Sequence, residues 1–170
     1  RSSLNSGSGA NTFQNLDWFP KVNHVVGMFQ KEVAQRIVSG PGNKDYGVLS
    51  VLVQYYYDCI YLFDVSKSCF TPPPKVESGV IRLNIKKQLL PVKSESIFKK
   101  LVKASFAQRR KTLRNNLKGI LPPEKLADSL FDRRAETLSV EEFVKLTFLV
   151  HKNELDNLRM VGKMLQHSLV

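Results

Sequence analysis

The sequence predicts an α/β fold, in which part of a sheet and its connecting helices are followed by a segment made of helices. Two changes of pattern support this prediction. Up to residue 86, short apolar runs of strand length alternate with helix-length segments and with turns rich in glycine and proline. After Lys87, apolar residues recur at helical spacing instead. With 170 residues, 42% of them apolar, the chain is long enough to bury a core.

The first part of the chain reads as strand, helix, helix, strand, proline-rich loop and strand. Residues 23–30 (NHVVGMFQ) predict a buried strand, and residues 31–40 predict a helix that a glycine ends. Residues 46–57 are apolar around most of a helical circumference, which indicates a buried helix. Two more strands follow at residues 59–65 and 78–85. Apolar and polar residues alternate in the last of these, so we expect the segment to finish in an antiparallel hairpin.

The second part of the chain predicts one long helix and two shorter ones. Residues 97–120 have the spacing of a single amphipathic helix. The stretch LPPEKLADSLF begins a short helix with its prolines at the N-terminus. The stretch SVEEFVKLTFLVHK begins another helix with a capping box, in which Ser139 is the N-cap and Glu142 is the third helical residue.

Arg109 is out of place in the long helix. With about 100° per residue, it projects into the middle of the apolar face. An unpaired guanidinium buried there would be costly. We therefore expect Arg109 to be shielded from solvent and paired with a helix C-terminal carbonyl, or with Glu136, Glu141 or Glu142.

Positive charge is concentrated in this helical segment. The net charge of the chain is +11, and residues 86–118 contain 11 basic residues and one acidic residue, which leaves +1 for the remainder. A charge run is usually a solvated surface with acids interleaved, whereas a basic segment on a neutral body indicates a polyanion-binding surface. The candidate contacts are Lys99, Lys103, Arg110, Lys111, Arg114 and Lys118.

Several other classes of protein are disfavoured. The sequence has no apolar run of 18 residues, which argues against a membrane span, and its first 15 residues lack the apolar region of a signal peptide. The two cysteines form no CxxC pair, so we expect reduced thiols and a cytoplasmic protein. The three histidines lack partners at ligand spacing, which predicts no metal site. The one Gly-x-Gly (residues 7–9) neither follows a strand nor opens a helix.

A phenylalanine precedes an unusually stiff stretch of backbone in CFTPPPKV (residues 69–76). Each proline fixes φ and lacks an N–H, so this segment is neither helix nor central strand. Phe70 therefore lies at the start of a rigid loop. The residues alone leave two interpretations open: a core phenylalanine beside a strand connection, or an aromatic ring held ready for a ligand.

Four stretches carry a resemblance to a known family. They are MFQKEVAQRI (28–37), FTPPPKVESGVIRL (70–83), FAQRRKTLRNNL (106–117) and RAETLSVEEF (134–143). In this order they resemble the rRNA adenine N6,N6-dimethyltransferases, which modify two adjacent adenines near the 3′ end of small-subunit rRNA. The resemblance runs from about residue 16 to 152. It implies the second half of a Rossmann-like methyltransferase sheet at 16–86 and a small all-helical C-terminal domain at 87–156. Residues 1–15 are then a linker or disordered N-terminus, and 157–170 are a tail.

The resemblance also implies a function. A complete enzyme would use S-adenosylmethionine to dimethylate adenines of 16S rRNA in the 30S subunit. Phe70 matches the residue that stacks on the target adenine, and the six basic candidates would contact RNA. The family's Gly-rich cofactor loop and Asn-x-Pro-Tyr motif are absent here. We therefore expect these 170 residues to bind no cofactor and to be inactive alone. Gln30, Lys31 and Glu32 fit a structural role better than the adenine approach.

Two other interpretations stay open. The chain could be a non-catalytic RNA-binding or ribosome-assembly module, or a truncated product without a function of its own. An incomplete sheet would also leave an unpaired strand edge and an uncovered apolar face, which predicts self-association.

Overall fold

The middle strand of the sheet is β3 (Ser78–Ile85), which pairs antiparallel with β1 (His24–Gln30) on one side and β2 (Tyr57–Val65) on the other. The structure is a computed structural model that describes residues 23–150. The register of β2 against β3 shifts between Tyr61 and Phe63, at a bulge. The three predicted strands and the antiparallel hairpin are confirmed, but the prediction that residues 23–30 form a buried strand is wrong, because alternate residues of β1 are exposed to solvent.

Two helices cover one face of the sheet. On β3, Ile81 and Leu83 are fully buried on this face, whereas Arg82 between them is exposed. Helix α1 (Lys31–Val38) and helix α2 (Val48–Tyr56) complete this layer. Six of the nine residues of α2 are buried, which agrees with its apolar circumference. The two predicted helices of this part are confirmed, with ends shifted by a few residues.

Between Lys87 and Val150, where the described part of the chain ends, the structure has four α-helices and two short 3₁₀ turns, with two isolated β-bridges. The α-helices are α3 (Glu95–Ser105), α4 (Leu113–Leu117), α5 (Pro123–Leu126) and α6 (Val140–Leu149). The Ser139 hydroxyl accepts from the Glu142 N–H and the Glu142 carboxylate accepts from the Ser139 N–H, so the predicted capping box is confirmed. None of the described helices is long and apolar enough to cross a membrane.

The core is continuous between the sheet part and the helical part. One cluster of buried side chains extends from Ala34 on α1 to Val150 after α6. Helix α2 contacts both α3 and α6. The rings of Tyr55 on α2 and Phe98 on α3 lie with their centroids 4.7 Å apart at this junction. The two parts are therefore held together by ordinary core packing.

The prediction of one helix over residues 97–120 is wrong. Helix α3 ends at Ser105, and a loop of residues 106–112 precedes α4. The Asn116 side-chain amide donates to the carbonyls of Ser105 (2.6 Å) and Gln108 (3.2 Å), so a side chain takes the place of the next helical turn. The apolar periodicity misled because Leu113 and Leu117 of α4 happen to continue the spacing of α3. The cations consequently do not form a stripe on one helix.

The other face of the sheet exposes several large apolar side chains. Val26 and Met28 on β1 are 64% and 51% exposed, and Phe63 on β2 is 57% exposed. The register brings Met28, Val80 and Phe63 into one row across the three strands. Within residues 23–150, β1 also pairs only with β3, so its outer edge has no partner strand there.

One buried hydroxyl has no hydrogen-bond partner. Tyr46 is fully buried beside Phe106, and its Oη contacts no donor or acceptor among the described residues. Burial, followed by the nearby charge of Glu141, raises the pKa of this phenol. A polar atom that lost its water without gaining a partner lowers stability.

We therefore expect Tyr46→Phe to raise the free energy of unfolding by about 1 kcal/mol, or to leave it unchanged. The matched control is Tyr55→Phe, because the Tyr55 hydroxyl donates to the Leu90 carbonyl at 2.8 Å. That variant should lose about 1 kcal/mol. Urea denaturation of both variants measures the difference, and a clear loss of stability in Tyr46→Phe would show that the hydroxyl has a partner.

Candidate nucleic-acid interface

Phe70 lies in the loop that connects β2 to β3. A short 3₁₀ turn, Lys67–Cys69, begins this loop, and the Ser66 side chain caps it. The Phe70 N–H donates to the Lys67 carbonyl at 3.3 Å, which ends the turn. The ring is partly exposed and is not among the side chains that pack against the hydrophobic core. Phe70 therefore lies at the surface, at the start of the proline-rich stretch.

The residues at the end of β1 are engaged within the protein. The Lys31 ammonium donates to the Asp64 carboxylate at 2.6 Å, and Glu32 forms an ion pair with Arg36 one turn along α1. Gln30 is exposed and precedes α1. The charged side chains of this segment thus have structural partners, in line with the structural role expected from the sequence.

The six basic candidates fall on three separate elements. Lys99 and Lys103 are on α3, Arg110 and Lys111 are in the loop between α3 and α4, and Arg114 is on α4 with Lys118 just after it. Lys103, Arg110, Lys111 and Lys118 are exposed, whereas Lys99 and Arg114 are half-buried.

The candidates also differ in whether a carboxylate neutralises them. A guanidinium nitrogen of Arg114 lies 3.0 Å from a carboxylate oxygen of Asp132. Arg110 and Lys111 have no ion pair with any residue between 23 and 150. The charges of Arg110 and Lys111 are therefore available to a ligand, and that of Arg114 only in part.

Arg109 links the loop to the sheet part of the protein. Its guanidinium donates to the carbonyls of Lys44 (2.6 Å) and Tyr46 (3.0 Å), in the turn between α1 and α2. It also lies 3.7 Å from the carboxylate of Glu136, one of the three expected partners. The Gly42 N–H donates to the Glu136 carbonyl at 2.8 Å, so Glu136 contacts both sides of this junction.

Two parts of the expectation for Arg109 are corrected. Its side chain is 47% exposed rather than shielded, because the helix that would have placed it on an apolar face ends before it. The carbonyls that it binds belong to a turn and not to a helix C-terminus. Of the three candidate carboxylates, Glu136 is the one nearby, but at 3.7 Å it forms an ion pair and not the predicted hydrogen bond.

The structure reveals residues that the sequence did not single out. Asp64 and Tyr61 at the end of β2 contact the Lys31 region. Asn116 holds the end of α3 through the Ser105 and Gln108 carbonyls. Lys31 and Asp64 are 33 residues apart, so no local pattern indicates that they meet. The Asn-Asn pair in LRNNL is a weak signal for a helix interruption, since asparagine side chains compete for backbone groups.

No group of three or more histidine, cysteine, aspartate or glutamate residues that could hold a metal ion occurs between residues 23 and 150. Burial raises the pKa of the Cys59 thiol to about 12, which makes it a poor nucleophile.

A family model described as "Ribosomal RNA adenine dimethylase" matches residues 12–152. The chain is 50% identical over 144 residues to a protein of Porphyromonas gingivalis named "Ribosomal RNA small subunit methyltransferase A", over 82% of this chain and 55% of that protein. It is 53% identical over 136 residues to the protein of that name from Cytophaga hutchinsonii, over 79% of this chain and 53% of that protein. The chain thus spans about half the length of these relatives.

A solved structure has a similar fold. The crystal structure of a dimethyladenosine transferase from Plasmodium falciparum superposes with a TM-score of 0.62 at 24% identity. The match covers 75% of this chain and 57% of that one. At this identity the likeness shows the fold alone.

Substituting the two neighbouring arginines of the loop should affect the stability of the protein to different extents. Arg109→Met removes two hydrogen bonds and an ion pair, and we expect a loss of about 1 kcal/mol in unfolding free energy, discounted for partial exposure. Arg110→Met removes a solvated charge and should change stability by less than about 0.5 kcal/mol. Urea denaturation of both variants measures this, and equal losses would refute the linking role of Arg109.

Proposed function

Because the chain belongs to the ribosomal RNA adenine dimethylase family, we propose that it forms the part of an rRNA adenine N6-dimethyltransferase that binds RNA and holds the target adenine. The alternative is a non-catalytic RNA-binding or ribosome-assembly module. Under that alternative, the complete protein would transfer no methyl group. The 16S rRNA of the 30S subunit is the proposed substrate and the cytoplasm the proposed location.

The placement of Phe70 carries this proposal. The N6 amine of an adenine is inaccessible to a bulky active site while the base is stacked in a helix, so the base must leave its stack. An aromatic ring can then stack on the extruded base, which is worth about 1–3 kcal/mol per base. Phe70 is partly exposed, outside the core, and next to prolines that limit its backbone. A ring fixed before binding loses little conformational entropy on contact.

The basic residues supply the second half of the proposal. Arg110 and Lys111 lack internal ion pairs among the described residues, and Arg109 holds their loop against the turn between α1 and α2. Unpaired cations on an anchored loop suit phosphate contacts, which orient an RNA without reading its bases. Lys99, Lys103, Arg114 and Lys118 would extend this surface.

S-adenosylmethionine is the proposed methyl donor of the complete enzyme, but the described residues do not fit it. A nucleotide-type donor needs a Gly-rich turn between a strand and a helix. Gly27 and Gly79 lie within strands, and Gly47 precedes α2 after a turn. We therefore derive no chemical step through the donor, and we propose that the 170 residues alone bind RNA without transferring a methyl group.

The exposed face of the sheet should cause self-association of the isolated chain. We expect sedimentation at about tens of micromolar to show dimers or larger species, because exposed apolar patches associate. Met28→Lys combined with Phe63→Lys should shift the chain toward monomer. Phe148→Lys is the control, since Phe148 is equally exposed, at 53%, but lies on α6. A clean monomer before any substitution would contradict the prediction.

Binding to a small-subunit rRNA hairpin should weaken steeply with salt. If about four to six cations neutralise phosphates, the log–log slope is about −3 to −5. Arg110→Ala should flatten it by about one unit, and Arg114→Ala by less, because Asp132 already neutralises part of its charge. Arg36→Ala on α1 is the control and should leave the slope unchanged. A slope near zero would remove the RNA-binding proposal.

Phe70→Ala should selectively weaken the capture of an unpaired adenine. We expect a loss of about 1–3 kcal/mol in binding to a hairpin with an unpaired adenine, with the salt slope unchanged. Phe63→Ala, another exposed phenylalanine, should have no such effect. Fluorescence anisotropy against paired and unpaired hairpins measures both variants. Transfer of labelled methyl groups by the purified chain would instead reveal a donor site and overturn the proposal of inactivity.

A further inference from the structure

The loop that carries Phe70 is tied to Lys31 at both of its ends. The Lys31 backbone N–H donates to the Glu77 carbonyl at 2.9 Å, at the end of the loop where β3 begins. The Lys31 ammonium donates to the Asp64 carboxylate at 2.6 Å, at the end where β2 finishes. Lys31 of α1 thus contacts both ends of residues 66–77, beside the Val65–Ser78 pair that joins the two strands at the base of the loop.

The Asp64 carboxylate has a second donor. Its other oxygen accepts a hydrogen bond from the Tyr61 hydroxyl. The Tyr61 hydroxyl lies directly against Gly79 of β3, where a side chain would collide with it. Gly79 therefore permits the close approach that lets Tyr61 reach Asp64. The carboxylate is therefore held by one donor on its own strand and one on α1, rather than by a single flexible partner.

The electrostatics of this cluster agree with the geometry. The hydrogen bond to Asp64 raises the pKa of Lys31, and the hydrogen bond from Lys31 lowers the pKa of Asp64. Burial and then the Asp64 hydrogen bond raise the pKa of Tyr61 to about 12. All three groups therefore keep the protonation states that the hydrogen bonds require throughout the neutral range.

We propose that Lys31 is a positioning residue, whose side chain, through Asp64, holds the 66–77 loop so that Phe70 faces an incoming adenine. This inference rests on the proposed function for the role of Phe70, but the restraint on the loop is independent of RNA. The competing role is a direct phosphate contact. Asp64 already neutralises the Lys31 charge, and this favours the positioning role.

The first experiment measures the loop without RNA. In Lys31→Met, amide hydrogen exchange at Cys69 and Phe70 should accelerate about three- to fivefold. This factor corresponds to the free energy that a partly exposed ion pair contributes. Exchange at Leu83 in the central strand should not change. Lys31→Arg keeps the cation and should restore slow exchange in the loop. Arg36→Met is the control, because it removes an ion pair of the same helix that does not involve the loop.

The second experiment measures adenine preference, defined as the affinity for a hairpin with an unpaired adenine divided by that for a fully paired hairpin. Lys31→Met and Asp64→Asn should each lower this preference about three- to fivefold, with Lys31→Arg near the original value. Asp64→Asn separates the two roles. A phosphate-contacting Lys31 would be released by this change and would bind both hairpins more tightly, which would overturn the positioning role.

The outcomes distinguish this inference from the proposed function. If Phe70→Ala leaves adenine preference unchanged, the proposed function fails, and hydrogen exchange still decides whether Lys31 restrains the loop. If Phe70→Ala lowers the preference while Lys31→Met changes neither exchange nor preference, the proposed function stands and the positioning role is refuted.

Discussion

The antiparallel pairing of β3 with both of its neighbours is the constraint on which the rest of the structure depends. Because β3 is the middle strand, its start is fixed beside the end of β1 and the end of β2 together. The loop with Phe70 leaves β2 and returns into β3, and α1 begins where β1 stops. A one-residue slip of β3 would turn Ile81 and Leu83 out of the core, so burial enforces the register.

A second constraint fixes the loop of residues 106–112 against the sheet part of the protein. Arg109 binds carbonyls in the turn between α1 and α2, while Glu136 contacts both Arg109 and Gly42. The loop of residues 106–112 has no regular structure of its own, and its position comes from these bonds and from Asn116 behind it. Backbone carbonyls are suitable anchors because every turn supplies them, whatever its side chains.

The sequence predicted the sheet part well and the basic segment poorly, for a physical reason. In strands and short helices, burial of one face makes apolar residues recur at a regular spacing. The alternation of Ile81, Arg82 and Leu83 therefore indicates which side chains are buried. The interruption after Ser105 depends on Asn116, which lies eleven residues away and acts through its amide rather than its hydrophobicity. The hydrogen bond between Lys31 and Asp64 is still harder to predict from the sequence, because the two residues come together only after β1, β2 and β3 have paired. The neighbouring prolines drew attention to Phe70 in the sequence. The contacts at the base of its loop could not be predicted in the same way.

Net charge indicates a polyanion-binding surface without identifying its contacts, because several of the cations in this protein pair with its own carboxylates. Lys31, Arg36, Arg109, Arg114 and Arg133 each lie within 4 Å of a carboxylate oxygen. The ion pairs of Lys31, Arg109, Arg114 and Arg133 connect separate segments of the fold, whereas that of Arg36 lies within α1. Arg110 and Lys111 have no such partner among residues 23–150, although they directly follow Arg109 in sequence. Within one short loop, the first arginine therefore fixes the backbone, whereas the next two cations have no carboxylate partner among the described residues. A count of basic residues treats Arg109, Arg110 and Lys111 alike, whereas of their three side chains only that of Arg109 has partners in the described part of the chain.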